Sequence, residues 1–137
     1  MSDIALAIVE KLTTDPDVEQ AIGGRIYPEY VKEADRVYPL VVMELQIGIA
    51  EGFDGPSGLE YAVAQIAAVA KSYSQAVAVA GLIKTALDGK SGTWADVEVQ
   101  GAFLQPDGLK DDVVTDPKTE EILYYVRVLS FDLAYTA

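Results

Sequence analysis

Apolar residues near the start of the chain are spaced for two short helices. They recur at four-residue steps between Ile4 and Leu12, which places them on one face of a helix that Ser2 caps. Asp15-Pro16 has the form of an N-cap followed by a first-turn proline, and Gly23-Gly24 ends the second helix. Both helices therefore have an apolar face that must pack on the rest of the protein.

A strand with one polar face is predicted next. From residue 40 to residue 49 the odd positions are apolar, whereas the even positions include Glu44 and Gln46. This alternation is the period of a half-buried β-strand. Residues 54–58 contain the aspartate, glycine, proline and serine of a turn, so we expect a hairpin that connects this strand to the segment beginning at Leu59.

The alanine-rich segment that follows fits two interpretations. Its composition favours one helix, but that helix would be about 30 residues long, well beyond the usual length. Ser72 and Gln75 form a capping box within the segment, and a capping box marks the start of a helix. We therefore predict a second strand over residues 59–71 and a helix from Tyr73 to Asp88.

Two further strands complete the predicted sheet. Apolar and polar residues alternate from Val97 to Phe103, a polar loop is expected over residues 107–121, and an apolar strand runs from Ile122 to Tyr135. Both faces of this last strand are mostly apolar, so it is central or covered by a partner. We expect one α+β domain over residues 1–137, with a small, mainly antiparallel sheet of about four strands and two or three helices packed on one face.

The composition leaves few groups that could catalyse a reaction. The chain has no cysteine and no histidine, which excludes thiolate chemistry, disulfides, Cys/His zinc sites and nucleophiles activated by imidazole. Adjacent carboxylates remain at Asp15/Asp17, Asp111-Asp112 and Glu120-Glu121, but none lies in the apolar pattern that catalytic carboxylates need. No glycine-rich phosphate-binding motif occurs. We expect a protein that is not an enzyme and has no cofactor and no dedicated metal site.

The charge of the chain argues against two further classes. Asp and Glu number 22 against 10 Lys and Arg, a net charge of -12 at pH 7, which opposes binding to phosphate backbones and to anionic membranes. The most apolar region, residues 62–87, is interrupted by polar residues and falls short of the ~20 apolar residues that span a bilayer. Asp3 stands where a secretory signal has a basic residue. We expect a soluble protein without a membrane segment and without sequence-specific DNA binding.

Three turn-and-strand signatures occur in one order along the chain. They are Gly23-Gly24-Arg25-Ile26-Tyr27-Pro28, Tyr38-Pro39-Leu40-Val41-Val42 and Phe53-Asp54-Gly55-Pro56-Ser57-Gly58-Leu59-Glu60. Together they resemble the tail completion, or tail-to-head joining, proteins of long-tailed phages, prophages and gene transfer agents. The resemblance extends from the first helix to the last strand, and the alanine-rich second strand is where this chain departs from the family pattern.

The resemblance implies a structural role in the virion. Proteins of this family form hexameric rings that cap the finished tail tube, stop its polymerisation and give the head connector a surface to dock on. This chain would then be a homo-oligomer, expected as a hexamer, with the tail tube protein and the head connector protein as partners. It would be located at the head-proximal end of the tail after assembly in the host cytoplasm. DNA would pass through the ring without specific binding.

The expected size of the subunit is compatible with such a ring. A compact domain of this length is roughly 37 Å across, and six in a closed ring leave a hole of roughly 37 Å, whereas four leave only about 15 Å, narrower than a DNA duplex. Six copies, each with a net charge of -12, carry -72 formal charges that repel a passing duplex. We therefore expect polar and acidic side chains to face the lumen, the alternative being an outward solvated face. The lumen candidates are Glu44, Gln46, Asp96, Glu98, Gln100, Asp111 and Asp112.

Contacts between subunits are expected from two sources. A small sheet has two edges, and unpaired edges bind strands of other chains. The second apolar face of the last strand offers a packing surface as well. The candidate interface residues are Arg25, Tyr27, Tyr30, Arg36, Tyr124, Val126 and Val128, with the arginines as charge partners. Alternative functions are another connector or minor tail subunit, or a small-molecule-binding module.

Overall fold

Three helices and six strands make up the computed structural model, which describes residues 3–27, 37–52 and 55–136. In chain order they are α1 (Asp3–Thr13), α2 (Pro16–Ile22), β1 (Ile26–Tyr27), β2 (Leu40–Gly52), β3 (Gly55–Ala70), α3 (Tyr73–Leu87), β4 (Lys90–Trp94), β5 (Val97–Thr115) and β6 (Ile122–Thr136). The strands form one sheet in the order β1-β2-β3-β6-β5-β4. The pair β1–β2 is parallel and the other neighbouring pairs are antiparallel. The α+β class is confirmed, but the expectation of about four strands is wrong, because the sheet has six.

The helix ends follow the capping residues that the sequence indicates. The Asp15 carboxylate accepts hydrogen bonds from the backbone N–H groups of Asp17 and Val18, at 3.0 and 3.2 Å, and Gly23 ends α2 with a left-handed φ of 56°. The Ser72 hydroxyl accepts from the N–H of Gln75 at 3.2 Å, which confirms the break between β3 and α3. The predicted cap Ser2 lies outside the described residues.

The helices cover one face of the sheet. Directly opposite residues in an antiparallel pair share a face, so the register Met43–Ile66–Leu129 defines one row across β2, β3 and β6. All three side chains are buried, and we call this side the helix face. The core between it and the helices includes Ile4, Ile8, Leu12, Ala64, Ile83, Leu87, Phe131 and Leu133. The next row, Val42–Ala67–Val128, lies on the opposite side, which we call the bare face.

Two long hairpins extend in opposite directions from the centre of the sheet. The β2–β3 hairpin continues to the pair Gly52–Gly55, and the β5–β6 hairpin continues the other way to the pair Thr115–Ile122. The polar loop expected over residues 107–121 is therefore wrong, because β5 extends to Thr115 and a short connection follows. The turn expected over residues 54–58 is also shorter, because β3 already begins at Gly55, and Asp54 lies outside the described residues.

The edge strand β4 has no counterpart among the predicted elements. It pairs with β5 through Trp94–Val97 and Lys90–Ala102. Ala95 and Asp96, with φ values of 47° and 66°, form the tight connection between the two strands. Positive φ at both central residues suits a two-residue hairpin. Alanine is an unusual residue at such a position, so the sequence gives little sign of this turn.

Candidate functional site

The bare face joins two groups of residues that the sequence analysis assigned to different surfaces. Glu44 and Gln46 project from β2, and Tyr124, Val126 and Val128 project from β6 on the same side of the sheet. Glu44 and Gln46 are exposed, whereas the three β6 side chains are partly exposed. These two lumen candidates and three interface candidates therefore share one face of the sheet rather than occupying two faces.

An apolar depression lies at one end of the bare face. Its volume is about 270 Å³ and its lining includes Tyr61, Gly101, Phe103 and Ala134. Tyr61 is 48% exposed and Phe103 is 58% exposed, so two large aromatic side chains lie together on the surface as an apolar patch. A Cβ at Gly101 would lie 2.5 Å from the Phe103 ring, so glycine allows this ring to lie flat across the strand.

The position of Phe103 differs from the sequence expectation. Simple alternation placed Gly101 and Phe103 on the same side as Val97 and Val99. The register of β5 against β6 shifts between Val99 and Gly101, and this bulge moves Phe103 to the bare face. Phe103 was missed as a surface residue because a bulge changes the strand phase without a clear signature in the sequence.

The remaining lumen candidates do not form one group. Glu98 lies opposite Thr136 on the bare face, Asp96 occupies the β4–β5 connection, and Gln100 lines the apolar depression. Asp111 and Asp112 are adjacent residues of β5 and therefore project to opposite faces. Asp112 lies on the bare face and Asp111 on the helix face.

A polar cluster holds the β5–β6 hairpin against the start of α3. Arg127 donates two hydrogen bonds to the Asp111 carboxylate, at 2.6 and 2.8 Å, and one to the Tyr73 hydroxyl at 3.1 Å. The Tyr73 hydroxyl in turn donates to Asp111 at 3.1 Å. The bonds from Arg127 hold the pKa of the Asp111 carboxyl below its usual range. The one arginine of β6, a strand of mostly apolar residues, is the signal that could have indicated this cluster.

The other interface candidates are located at the β1 edge or outside the described residues. The Arg25 Nε donates to the Pro39 carbonyl at 2.9 Å, so this guanidinium holds the β1–β2 region together within the subunit. Tyr27 is partly exposed at the end of β1. Tyr30 and Arg36 lie outside the described residues.

Tyr124 is partly covered by its own chain. Its ring lies 5.7 Å from that of Tyr38, and the Lys71 ammonium lies 4.7 Å from the Tyr38 ring centroid. The Tyr38 hydroxyl is buried and has no hydrogen-bond partner among the described residues. The apolar strip that remains available on β6 is therefore centred on Val126 and Val128.

Each of the two edges of the sheet includes a strand segment without a partner in the described part of the chain. β1 pairs with β2 at Val41 and Val42, and the described residues provide no partner for the rest of that edge. β4 pairs with β5 no further than Ala102. From Leu109 to Thr115 the outer edge of β5 likewise has no partner strand among the described residues. Such edges present backbone donors and acceptors to other chains.

The described residues contain no cluster of acidic, cysteine or histidine side chains that could hold a metal ion. No helix in the same ranges is long and apolar enough to span a membrane. A polar depression of about 300 Å³ lies between α1 and β4, where Lys11 and Trp94 are among the lining residues. The Lys11 ammonium lies 5.7 Å from the Trp94 ring centroid, so it already interacts within the subunit. In the described part of the chain, the exposed features are therefore a broad sheet face and two strand edges.

Comparison with known proteins gives the family of the chain. A chain of the solved structure described as the virion of a native gene transfer agent (GTA) particle has the same fold, with a TM-score of 0.73 and 16% identity over 95% of this chain and 92% of that chain. No curated protein sequence matches. The family model described as Tail completion protein gp17 matches residues 6–133, in agreement with the resemblance of the three turn-and-strand signatures. The chain therefore belongs to the tail completion protein gp17 family, whose members are structural proteins of phage tails rather than enzymes.

Proposed function

We propose that this protein closes into a ring, expected as a hexamer, which caps the tail tube, ends its polymerisation and joins the tail to the head connector. The observation that carries the proposal is a six-stranded sheet whose helices, among the described residues, all pack on the same face, in a chain of the tail completion family. A bare face and open edges are completed by contact with other subunits. Head-to-tail contacts of this kind close into a ring when the rotation between subunits allows it.

The two hairpins support a subunit with two different axial partners. The β2–β3 hairpin and the β5–β6 hairpin extend in opposite directions from the centre of the sheet. A ring of such subunits presents one set of hairpins on each of its two sides. One set contacts the tail tube protein, and the other contacts the head connector protein. The protein is then a virion component at the head-proximal end of the tail, assembled in the host cytoplasm.

The charge of the bare face supports a channel that DNA passes without binding. Glu44, Glu98 and Asp112 lie on this face and are exposed. In the ring these acidic side chains face the lumen with Gln46, while Asp96 and Gln100 lie at the rim. Like charges on the wall and on the DNA backbone keep the duplex from adhering. Val126 and Val128 contact the neighbouring subunit beside them.

The experiment that tests the proposal is production of particles without this protein. We expect tails of uncontrolled length that fail to join heads, because both termination and joining are lost. Tails of normal length that fail to join heads would favour a connector subunit instead. Normal tails joined to heads would refute both functions.

A point variant separates assembly from folding in the same experiment. Val128→Asp places a charge on the bare face and should fold as a subunit while failing to restore joined particles. Ala78→Asp places the same charge on an exposed position of α3 and is the matched control. Particle formation by Val128→Asp at the level of the control would contradict an assembly role for this face.

A further inference from the structure

The outer edge of β5 has no partner strand among the described residues from Leu109 to Thr115. β4 ends opposite Ala102, and the register of β5 is interrupted between Leu104 and Leu109. Beyond this interruption Leu109 is 45% exposed and Val113 is 44% exposed. Two apolar side chains on an open edge are a hazard for a soluble subunit unless a partner covers them.

The backbone of this segment can pair with another strand once one local hydrogen bond is given up. The N–H of Val113 donates to its neighbour, the Asp112 carboxylate, at 2.8 Å and not to β6, and an incoming strand has to displace this carboxylate. Backbone groups on one edge of an antiparallel strand belong to alternate residues. Leu109, Asp111 and Val113 therefore present their donors and acceptors on the same open edge, symmetrically about Asp111.

The side chains are complementary to a second copy of the same strand. In an antiparallel pairing centred on Asp111, Lys110 lies opposite Asp112 of the other copy, and Leu109 lies opposite Val113. Both relations occur twice because the arrangement has two-fold symmetry. Asp111 lies opposite itself, but each of these carboxylates is already compensated by its own Arg127 at 2.6 Å. The proposed register therefore places no two uncompensated like charges opposite each other.

We propose that two copies of this protein associate through antiparallel pairing of residues 109–113 of β5. The partner is thus a second copy of this chain, and the pairing forms two Lys110–Asp112 contacts and two Leu109–Val113 contacts between copies. The contact is small and closed, so the dimer is weak and forms at high protein concentration. It covers the apolar edge before assembly, and it competes with any ring contact that uses the same edge.

Charge reversal and charge exchange test the register in solution. In sedimentation equilibrium of the full chain, Lys110→Asp or Asp112→Lys alone should weaken dimerisation about tenfold or more, because two attractive cross-strand pairs become repulsive. The double variant K110D/D112K exchanges the two charges and should restore the wild-type dissociation constant. Lys118→Asp changes the net charge as much as Lys110→Asp but lies outside the pairing segment, and it should leave the dimer near wild-type strength.

A cysteine experiment tests the same centre by an independent route. The chain has no cysteine, so a mixture of Leu109→Cys and Val113→Cys proteins places two thiols opposite each other in the proposed dimer, within the range of a disulfide, and leaves the Arg127–Asp111 pair intact. Oxidation should give a covalent dimer far faster than for Lys118→Cys. Equal rates, or double-variant dissociation as weak as that of the single variants, would overturn the proposal. These results are read from purified protein, so they are independent of the particle phenotype that tests the ring.

Discussion

Two neighbouring residues of β6 should respond very differently to the same kind of truncation, because they lie on opposite faces of the sheet. Leu129 is 0% exposed and packs in the core against the helices. Leu129→Ala removes buried methyl groups and leaves a cavity, so it should lower the free energy of unfolding by about 2–5 kcal/mol. Val128 is partly exposed on the bare face, and Val128→Ala in the monomer should cost less than about 1 kcal/mol.

The assay is urea denaturation of dilute, monomeric protein followed by tryptophan fluorescence. The chain has one tryptophan, Trp94, which is 5% exposed and reports loss of the core. With a denaturant slope of about 2 kcal/mol/M, a loss of about 3 kcal/mol moves the midpoint by roughly 1.5 M. The Val128→Ala midpoint should move by less than about 0.5 M, with the slope unchanged in both variants.

The result that would refute the reasoning is equal destabilisation by the two variants. It would mean that Val128 is as well covered as Leu129 within a single subunit. The bare face would then not be bare, and its assignment as an assembly surface would fail. Destabilisation by Val128→Ala only at concentrations where the protein self-associates would instead support that assignment.

Three further predictions follow from single groups and from the overall charge. Burial raises the pKa of Tyr135 to about 12, so its contribution to stability is complete below pH 10 and is lost between pH 10 and 12. Wild type should therefore lose up to ~2 kcal/mol more than Tyr135→Phe over that range; equal losses in urea titrations would contradict this. Ser72→Ala removes the cap of α3 and should cost about 1 kcal/mol in urea denaturation, whereas Ser74→Ala, inside the helix, should cost less. Raising NaCl from about 0.01 to about 0.15 M should raise the thermal midpoint, because it screens the net charge of -12; a falling midpoint would count against self-repulsion.

Local signals in the sequence were sufficient where one side chain determines the backbone. Asp15 and Ser72 cap the helices that the sequence assigned to them, and the break at Ser72 correctly separated β3 from α3. The apolar character of both faces of β6 correctly indicated a central strand, since β6 lies between β3 and β5. These predictions depend on hydrogen bonds or on burial patterns within a few consecutive residues. Such local patterns can be recognised in a single sequence.

Other features depend on pairing between distant residues and could not be read from one segment. The interruptions of β5 after Val99 and after Leu104 change which side chains share a face, and they moved Phe103 to the surface. The polar residues 107–115 indicated a loop because a strand at an open edge needs little apolar content. Asp111 belongs to this strand and lies opposite Arg127, a partner sixteen residues further along the chain that no local pattern identifies.

The Arg127 cluster also explains how a long hairpin can present a defined surface. A two-stranded extension is weak by itself, but Arg127 ties Asp111 to Tyr73, the first residue of α3. The direction of the β5–β6 hairpin is therefore set by the helix layer. The opposite hairpin continues from β2 and β3, whose central parts pack against the same core. Both hairpins are thus attached to the same core, which fixes the distance and direction between the two ends of the subunit, and the proposed ring with a different partner on each side would need that geometry.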